Sequence, residues 1–303
     1  MVGDLSDSQH LLGALAALAS AFCWALAAVI FSQLGETFKP RFINLFKGII
    51  ASICLLLLVL PNPFDSLDAS RIWMLALSGV LGITIGDTLY FYTLNRLGAR
   101  ITLLVGTLIP VLTAIVAVLL FEERLGPFAW FGLALTLFGV SYVLWSKSEK
   151  SLKSQLVVSG IFFAILFVVT ESSSILLTKV AVSDADSLQV TLLRQIWGIA
   201  GLTLWGLLVK DSFQEFRLLK GEFVLTKKLL IASVLGAFLG TWLSVLALKL
   251  TYASVAVSLN STSPIFVLPI SYFLLKQSIP RSTLIGAFIS VLGIIIYFSQ
   301  QIH

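Results

Sequence analysis

Long apolar segments alternate with short polar connections along the whole chain. Apolar runs with few charges occur at 11–31, 42–60, 72–95, 101–120, 127–145, 156–178, 187–209, 229–249, 253–275 and 282–299. Each run is close to the roughly 20 residues that an α-helix needs to cross the hydrocarbon of a bilayer. The runs lack the period-2 alternation that is typical of membrane β-barrel strands. The pattern therefore predicts an all-α integral membrane protein with ten transmembrane helices.

The two halves of the sequence match each other without gaps over long stretches. A shift of 154 positions places Pro110 on Pro264, and a shift of 147 positions places Lys47 on Arg194. Each half therefore contains five of the ten predicted helices. Because five is an odd number, the second half must enter the membrane upside down relative to the first, as in the inverted repeats of many secondary transporters.

These matches predict a first repeat at 11–147 and a second repeat at 148–303, preceded by a leader at 1–10. The leader contains Asp4 and Asp7 but no Lys or Arg, which is the wrong charge for the n-region of a secretory signal peptide. The first apolar segment is therefore expected to remain in the mature protein.

Composition excludes the soluble classes. Apolar residues make up 58% of the chain and charged residues 12%, whereas a soluble protein contains about 25% charged residues. The net charge of +5 in such a chain relates to membrane topology, so a nucleic-acid partner is not expected. Two cysteines, Cys23 and Cys54, lie within apolar runs and cannot build a disulfide framework or a thiolate metal site. No metal is expected.

Basic residues are distributed unevenly between the predicted connections. The connections that follow helices 1, 3, 5, 7 and 9 contain fourteen Lys or Arg, and the opposite side contains only Arg71, Arg124, Lys179 and Lys249. By the positive-inside rule, both termini would lie outside the cytoplasm.

Several local motifs recur at matching places in the two halves. Basic residues enter helix 2 in "NLFKG" and helix 7 in "TLLRQ", and "LGARITLLVGTLIPVLTAIVAVLLFEERL" in the first half is matched by "TYASVAVSLNSTSPIFVLPISYFLLKQSI" in the second. In this order and spacing the chain resembles the drug/metabolite transporter superfamily, in particular its ten-helix EamA-type family. The resemblance covers nearly the whole chain. It implies transport of small metabolites such as amino acids, and termini in the cytoplasm, which is opposite to the orientation that the loop charges predict.

Four ionisable residues lie within the predicted spans: Lys47, Asp87, Glu171 and Arg194. Burying each in lipid costs at least roughly 2.5 to 3.5 kcal/mol unless it finds a partner or water. Distances from the helix ends allow Lys47 to pair with Asp87 near one surface and Glu171 with Arg194 in the opposite leaflet. These residues are candidates for substrate binding or coupling. Alternatively, the two cations extend to the interface and take no part in transport.

Pro110 and Pro264 fall near the middle of helices 4 and 9, where each removes a backbone donor and predicts a kink. We expect paired gates or hinges there. Asn260 and Thr262 belong to the most polar stretch of any span and are candidates for substrate binding. The alternative is that such hydroxyls satisfy backbone carbonyls of their own helix.

Two aromatic residues are further candidates for a cavity wall. Tyr90 follows Asp87 on a glycine-rich helix, and Trp24 lies at the centre of helix 1 rather than at an interface. Helices 5 and 10 carry paired glycines and no intramembrane charge, so we expect them to be scaffold.

Enzyme motifs are absent from the sequence. The chain contains no P-loop, HExxH, GxSxG or GxGxxG pattern, and its only histidines, His10 and His303, lie near the two ends of the chain. An ATP-driven pump or an intramembrane hydrolase is therefore not expected, and we predict no catalytic residues and no cofactor.

The resulting prediction is a secondary transporter, and an exporter of small metabolites such as amino acids, that works by alternating access in a bacterial-type plasma membrane. The expected partners are a small-molecule substrate, the lipid bilayer and protons as a coupling ion; the sequence leaves the oligomeric state open. Two alternatives stay open: a lipid or polyprenyl-phosphate flippase of the same fold, and a channel or structural subunit of a membrane complex.

Overall fold

The computed structural model describes residues 7–61, 68–121, 126–151, 155–181, 186–209, 215–219, 221–251, 256, 259–276 and 278–299. All regular structure in these ranges is helical. We label the spans α1 (Asp7–Leu34), α2 (Pro40–Val59), α3 (Ala69–Leu97), α4 (Ala99–Gly106 and Leu108–Phe121), α5 (Pro127–Ser151), α6 (Gln155–Ala181), α7 (Ser187–Val209), α8 (Phe223–Leu250), α9 (Ser263–Leu275) and α10 (Arg281–Ser299). A short helix, Phe216–Leu219, lies between α7 and α8.

The ten-helix prediction is confirmed, with most helices longer than their apolar segments. Eight helices within the described ranges are long and apolar enough to cross a membrane, and α9 and α10 are shorter apolar helices. The helix α1 begins at Asp7, inside the predicted leader, and residues 1–6 lie outside the described ranges. The helix α8 begins at Phe223 instead of residue 229. Hydropathy marks only the part of a helix within the hydrocarbon, whereas backbone hydrogen bonding continues into the polar interface.

Contacts between connections divide the helix ends into two sides. The backbone N–H of Lys39 donates to Glu215 Oε2 (3.0 Å), and Arg100 Nη1 donates to the carbonyl oxygen of Ser278 (2.8 Å). Asn95 Nδ2 at the end of α3 donates to the carbonyl oxygen of Gly35 after α1 (3.3 Å), so the connections that follow α1, α3, α7 and α9 lie together, and we call this side A. The ends of α1 and α8 at His10 and Thr251 meet on the opposite side, side B, where the two side chains are 3.4 Å apart.

An antiparallel crossing of α5 and α10 shows the inversion of the repeats directly. Thr136 Oγ1 donates to the carbonyl oxygen of Ser290 (3.2 Å), and Ser290 Oγ donates to the carbonyl oxygen of Thr136 (3.4 Å), although these residues are 154 positions apart. A Cβ atom on Gly139 would lie 2.7 Å from the Gly286 carbonyl oxygen, and a Cβ atom on Gly286 would lie 2.7 Å from the Gly139 carbonyl oxygen. Because Thr136 and Ser290 are equivalent in the two repeats and their contacts are reciprocal, a pseudo-two-fold axis passes through this crossing.

Two π-helical segments occur at equivalent places in the repeats, and the sequence pattern did not predict them. They span Val80–Gly86 within α3 and Ser233–Gly240 within α8. Their glycines contact helices of the opposite repeat: Gly82 packs against Ser174 of α6, and Gly236 packs against Ala27 of α1. π-Helical turns are rare and are found often at functional sites. Both segments therefore lie at the interface between the repeats.

Candidate functional site

A cavity of about 740 Å³ lies between the two repeats. Its walls are formed by residues of α1, α2, α3, α4, α6, α7 and α8, including residues that follow or belong to both π-helical segments. The helices α5, α9 and α10 contribute no lining residue within the described ranges. The cavity therefore has the position that an alternating-access site requires.

All four intramembrane ionisable residues line this cavity. The ion pair expected between Lys47 and Asp87 is present, with 2.6 Å between Lys47 Nζ and Asp87 Oδ2. Both side chains are largely shielded, since 13% of Lys47 and 24% of Asp87 are exposed. Lys47 lies seven residues after Pro40, which begins α2 on side A.

Arg194 and Glu171 face the same cavity but do not form the second expected ion pair. Among the described residues, no salt bridge joins them. Arg194 Nη2 instead donates to Ser174 Oγ at 2.9 Å, and the buried Arg194 Nε has no hydrogen-bond partner. The prediction of a Glu171–Arg194 pair is therefore wrong, because a hydroxyl on α6, three residues after Glu171, takes the guanidinium.

Trp24 and Tyr90 both line the cavity, as the sequence suggested. Trp24 Nε1 donates to the carbonyl oxygen of Gly236 at 3.2 Å, within the π-helical segment of α8. Glu171, which occupies the position equivalent to Trp24 in the second repeat, lies against Gly86 at the end of the other π-helical segment. The repeats thus place an indole and a carboxyl group at symmetric positions of one cavity.

Asn260 and Thr262 are not among the lining residues. Asn260 Nδ2 donates to Ser244 Oγ (2.7 Å), and Ser244 lines the cavity. Asn260 therefore lies behind the cavity wall and contacts a lining residue. Thr262 Oγ1 donates to the carbonyl oxygen of Leu259 (2.6 Å), which agrees with the alternative that hydroxyls here satisfy their own backbone.

Pro110 and Pro264 follow breaks in the helices, where kinks within continuous helices were expected. The helix α4 is interrupted at Thr107, and Pro110 is the third residue of its second piece. The helix α9 begins at Ser263 directly before Pro264. In the first turn of a helix the missing N–H of proline has no partner to lose, so the ring is tolerated there without a kink. Neither proline lines the cavity.

Several lining residues were missed from the sequence. Thr241 and Ser244 occupy the positions equivalent to Asp87 and Tyr90, so applying the 154-residue shift to the candidates would have found them. Phe31, Phe91 and Phe167 also line the cavity. No sequence signal distinguished these phenylalanines from the many that face lipid.

Comparisons with known proteins give the same architecture. The model of the EamA-like transporter family matches residues 11–145 and 158–299. The chain belongs to the EamA-like transporter family. It is therefore a multi-pass membrane protein of a transporter family.

This EamA-like transporter has relatives that match almost end to end. An uncharacterized transporter of Archaeoglobus fulgidus is 25% identical over 93% of this chain and 96% of its own length. Protein LicB of Haemophilus influenzae is also 25% identical, over 94% of this chain and 96% of its own length. One solved structure, 16% identical, shares the fold with a TM-score of 0.64 over 94% of this chain and 95% of that chain.

The walls of this cavity between the repeats contain two acidic and two basic side chains, of which one acid and one base form an ion pair. Lys47 and Asp87 neutralise each other, whereas Glu171 and Arg194 face the cavity without an ion-pair partner among the described residues. A solute in the cavity can therefore meet a carboxyl group and a guanidinium group that form no close ion pair with each other.

Proposed function

We propose that the protein is a secondary transporter that exports small metabolites such as amino acids across a bacterial-type plasma membrane by alternating access. The observation that carries this proposal is the central cavity between inverted repeats, which contains two acidic and two basic side chains. The proposed repeats, residues 11–147 and 148–303, supply the walls of this cavity jointly. The cavity volume of about 740 Å³ lies within the 300–1,000 Å³ that is typical of small-molecule sites.

The unpaired charges support a zwitterionic substrate. Arg194 Nε is buried without a hydrogen-bond partner, so a substrate carboxylate would satisfy a donor that is otherwise orphaned. An ammonium group of the same substrate would be drawn to Glu171. Trp24 and Tyr90 supply apolar surface with a polar edge for the side chain of the substrate.

Protons are the proposed coupling ion, with Asp87 and Glu171 as the carriers. A carboxyl group in a shielded cavity can exchange a proton when the groups around it change. Pro110 and Pro264, which follow the helix breaks of α4 and α9, are the proposed hinges of the motion.

Uptake into proteoliposomes tests the proposal. A panel of labelled amino acids is offered with and without an imposed pH gradient, and at least one should accumulate faster when the gradient is present. Replacing Arg194 by Gln should raise the half-saturation concentration about tenfold or more, since a hydrogen bond between charged groups contributes about 1.5 to 3 kcal/mol.

Arg71→Gln is the matched control, because Arg71 lies outside the cavity with a long 3.9 Å contact to Asp68. It should transport like the parent protein. Absence of gradient-dependent uptake for the whole panel would contradict the proposed substrate class, and release of a trapped inert dye at the same rate as amino acids would indicate a channel instead.

A further inference from the structure

A second cavity of about 500 Å³ lies toward side A from the central one. It is lined by the side A ends of α1, α3, α4, α5, α9 and α10, and its polar groups include Ser32, Asn95, Arg100, Ser271 and Thr283. We call it the side A vestibule. The proposed function assigns no role to this vestibule.

The vestibule and the central cavity meet along three shared helices. On α1 the lining passes from Phe31 in the central cavity to Ser32 in the vestibule. On α3 it passes from Phe91 to Leu94, one turn further. On α4 it passes from Leu103 to Ile101, so the two cavities are neighbours along these three helices.

Two phenylalanine rings lie at this boundary. Phe31 and Phe91 meet edge to face, with 5.1 Å between ring centroids and 82° between ring planes. Phe31 is 4% exposed and Phe91 is 1% exposed. Both belong to a buried apolar cluster that continues toward side A with Leu34, Phe38, Phe42 and Leu94. A polar solute that moves between the two cavities at this point would meet an apolar barrier.

Lys47 connects this closure to the ion pair of the central cavity. Its Nζ atom lies 2.6 Å from Asp87 Oδ2 and 5.5 Å from the ring centroid of Phe91. Asp87 and Phe91 are four residues apart on α3 and thus lie on the same face of the helix. A single ammonium group therefore holds both the carboxylate and the ring one turn below it.

The second repeat lacks the corresponding closure. At the positions equivalent to Phe31, Asp87 and Phe91 it has Thr178, Thr241 and Val245, and all three line the central cavity. Thr178 lies three residues before Ala181, which ends α6 on side B. Phe31 lies equally far from Leu34, which ends α1 on side A, so the two sides differ in the residue at this depth: a buried aromatic ring on side A and a threonine on side B.

We propose that Phe31 and Phe91 form the side A gate of the transport path, and that Lys47 holds this gate closed for as long as it is bound to Asp87. This inference rests on the proposed function, because it assigns a gate to the same path. A charged substrate group that competes for Asp87 or Lys47 releases the ammonium from the ring. Phe91 is then free to leave Phe31, and the central cavity joins the vestibule.

Cysteine accessibility tests the gate without knowledge of the substrate. In a background with Cys23→Ser and Cys54→Ser, Ala237→Cys reports on the central cavity and Glu36→Cys reports on side A. The reporters are labelled in sealed proteoliposomes with a membrane-impermeant methanethiosulfonate reagent, and side A is the side from which Glu36→Cys reacts.

With the native gate, Ala237→Cys should react slowly from side A. Adding Phe91→Ala should raise that rate roughly tenfold or more, the population shift expected when a ring contact and a cation–π contact are lost. The double change Lys47→Gln with Asp87→Asn should raise this labelling rate as well. Because it removes both members of the ion pair, neither charge is left buried without its partner. Phe91→Leu, which keeps apolar volume, serves if the alanine variant does not fold.

Phe22→Ala is the matched control. Phe22 is on α1 like Phe31 and meets Phe266 edge to face at 5.9 Å, but it is 44% exposed on the outside of the bundle. It should leave the side A labelling rate of Ala237→Cys unchanged. Equal rates in the parent, Phe91→Ala and the double variant would overturn the gate. Absence of uptake for every amino acid tested would instead contradict the proposed function. The labelling rates are measured independently of uptake, so the two failures can be told apart.

Discussion

At the scale of single residues, the charged side chains of the cavity show how little sequence distance says about pairing. Lys47 forms an ion pair with Asp87, the carboxylate predicted to lie at the same depth. Glu171 was predicted to lie at a suitable depth for Arg194, but Arg194 donates a hydrogen bond to Ser174 instead. Depth along a helix follows from residue count, whereas the direction of a side chain also depends on the rotation of each helix about its axis.

The ion pair should behave as a buried one. Lys47→Gln and Asp87→Asn should each destabilise the protein by about 3 kcal/mol, because each leaves a shielded charge without its partner. The double variant should recover at least half of the summed loss. Thermal unfolding in detergent of the two single variants and the double variant measures the coupling.

The pair Arg71 and Asp68 provides the control for this cycle. Its atoms are 3.9 Å apart and its side chains are 32% and 65% exposed, so the same substitutions there should change stability by less than about 1 kcal/mol. Strictly additive losses at Lys47 and Asp87 would mean that the close contact has no energetic consequence.

At the scale of elements, small residues decide how closely the helices approach. The crossing of α5 and α10 brings Gly132 against Gly293 and Gly139 against Gly286. Without Cβ atoms, the backbones meet closely enough for Thr136 and Ser290 to exchange hydrogen bonds with carbonyl groups across the interface. In lipid, where apolar burial does not drive association, such packing and hydrogen bonding hold helices together.

Gly139→Ala should therefore destabilise the protein by about 1 to 3 kcal/mol, the usual cost of overpacking. Its Cβ atom would lie 2.7 Å from a backbone oxygen that cannot rotate away. Gly106→Ala is the control, since a Cβ atom there meets nothing within 4 Å, and it should leave stability equal or slightly higher. Unfolding temperatures of the two variants, purified in the same detergent, give the comparison. A stable Gly139→Ala protein would show that the crossing tolerates separation.

At the scale of the whole molecule, the inverted repeat places equivalent residues on opposite sides of the membrane. Asp68 caps the beginning of α3, and Glu222, 154 positions later, precedes α8. Both are exposed, and neither lies in the central cavity. Their positions make them matched reporters of topology.

Asp68→Cys and Glu222→Cys, in the background without Cys23 and Cys54, should react with an impermeant reagent from opposite sides of sealed cells. Glu36→Cys should react from the same side as Glu222→Cys, because α1 ends and α8 begins on side A. The side that reacts in intact cells also decides between the orientation that the loop charges predict and the one that the family resemblance implies. Reaction of both matched reporters from one side would contradict the inverted repeat.

The sequence alone determined the number of helices, their inversion and the four charged residues of the cavity. Lipid offers no partner for backbone polar groups, so an apolar run of about 20 residues has few alternatives to a helix, and an odd number of helices per repeat fixes the inversion. Charges inside such runs are costly and therefore mark the functional region, which is where all four were found.

Only the tertiary structure decided which side chains meet. Arg194 donates a hydrogen bond to Ser174 and forms no salt bridge with Glu171. Asn260 bonds to Ser244 behind the cavity wall, and Phe31 contacts Phe91 edge to face. Each residue of an α-helix turns by about 100°, so a π-helical segment such as Val80–Gly86 changes the direction of every side chain after it relative to the helix before it. Asp87 directly follows this segment, whose Gly82 packs against Ser174 of the opposite repeat, and Lys47 contacts both Asp87 and Phe91.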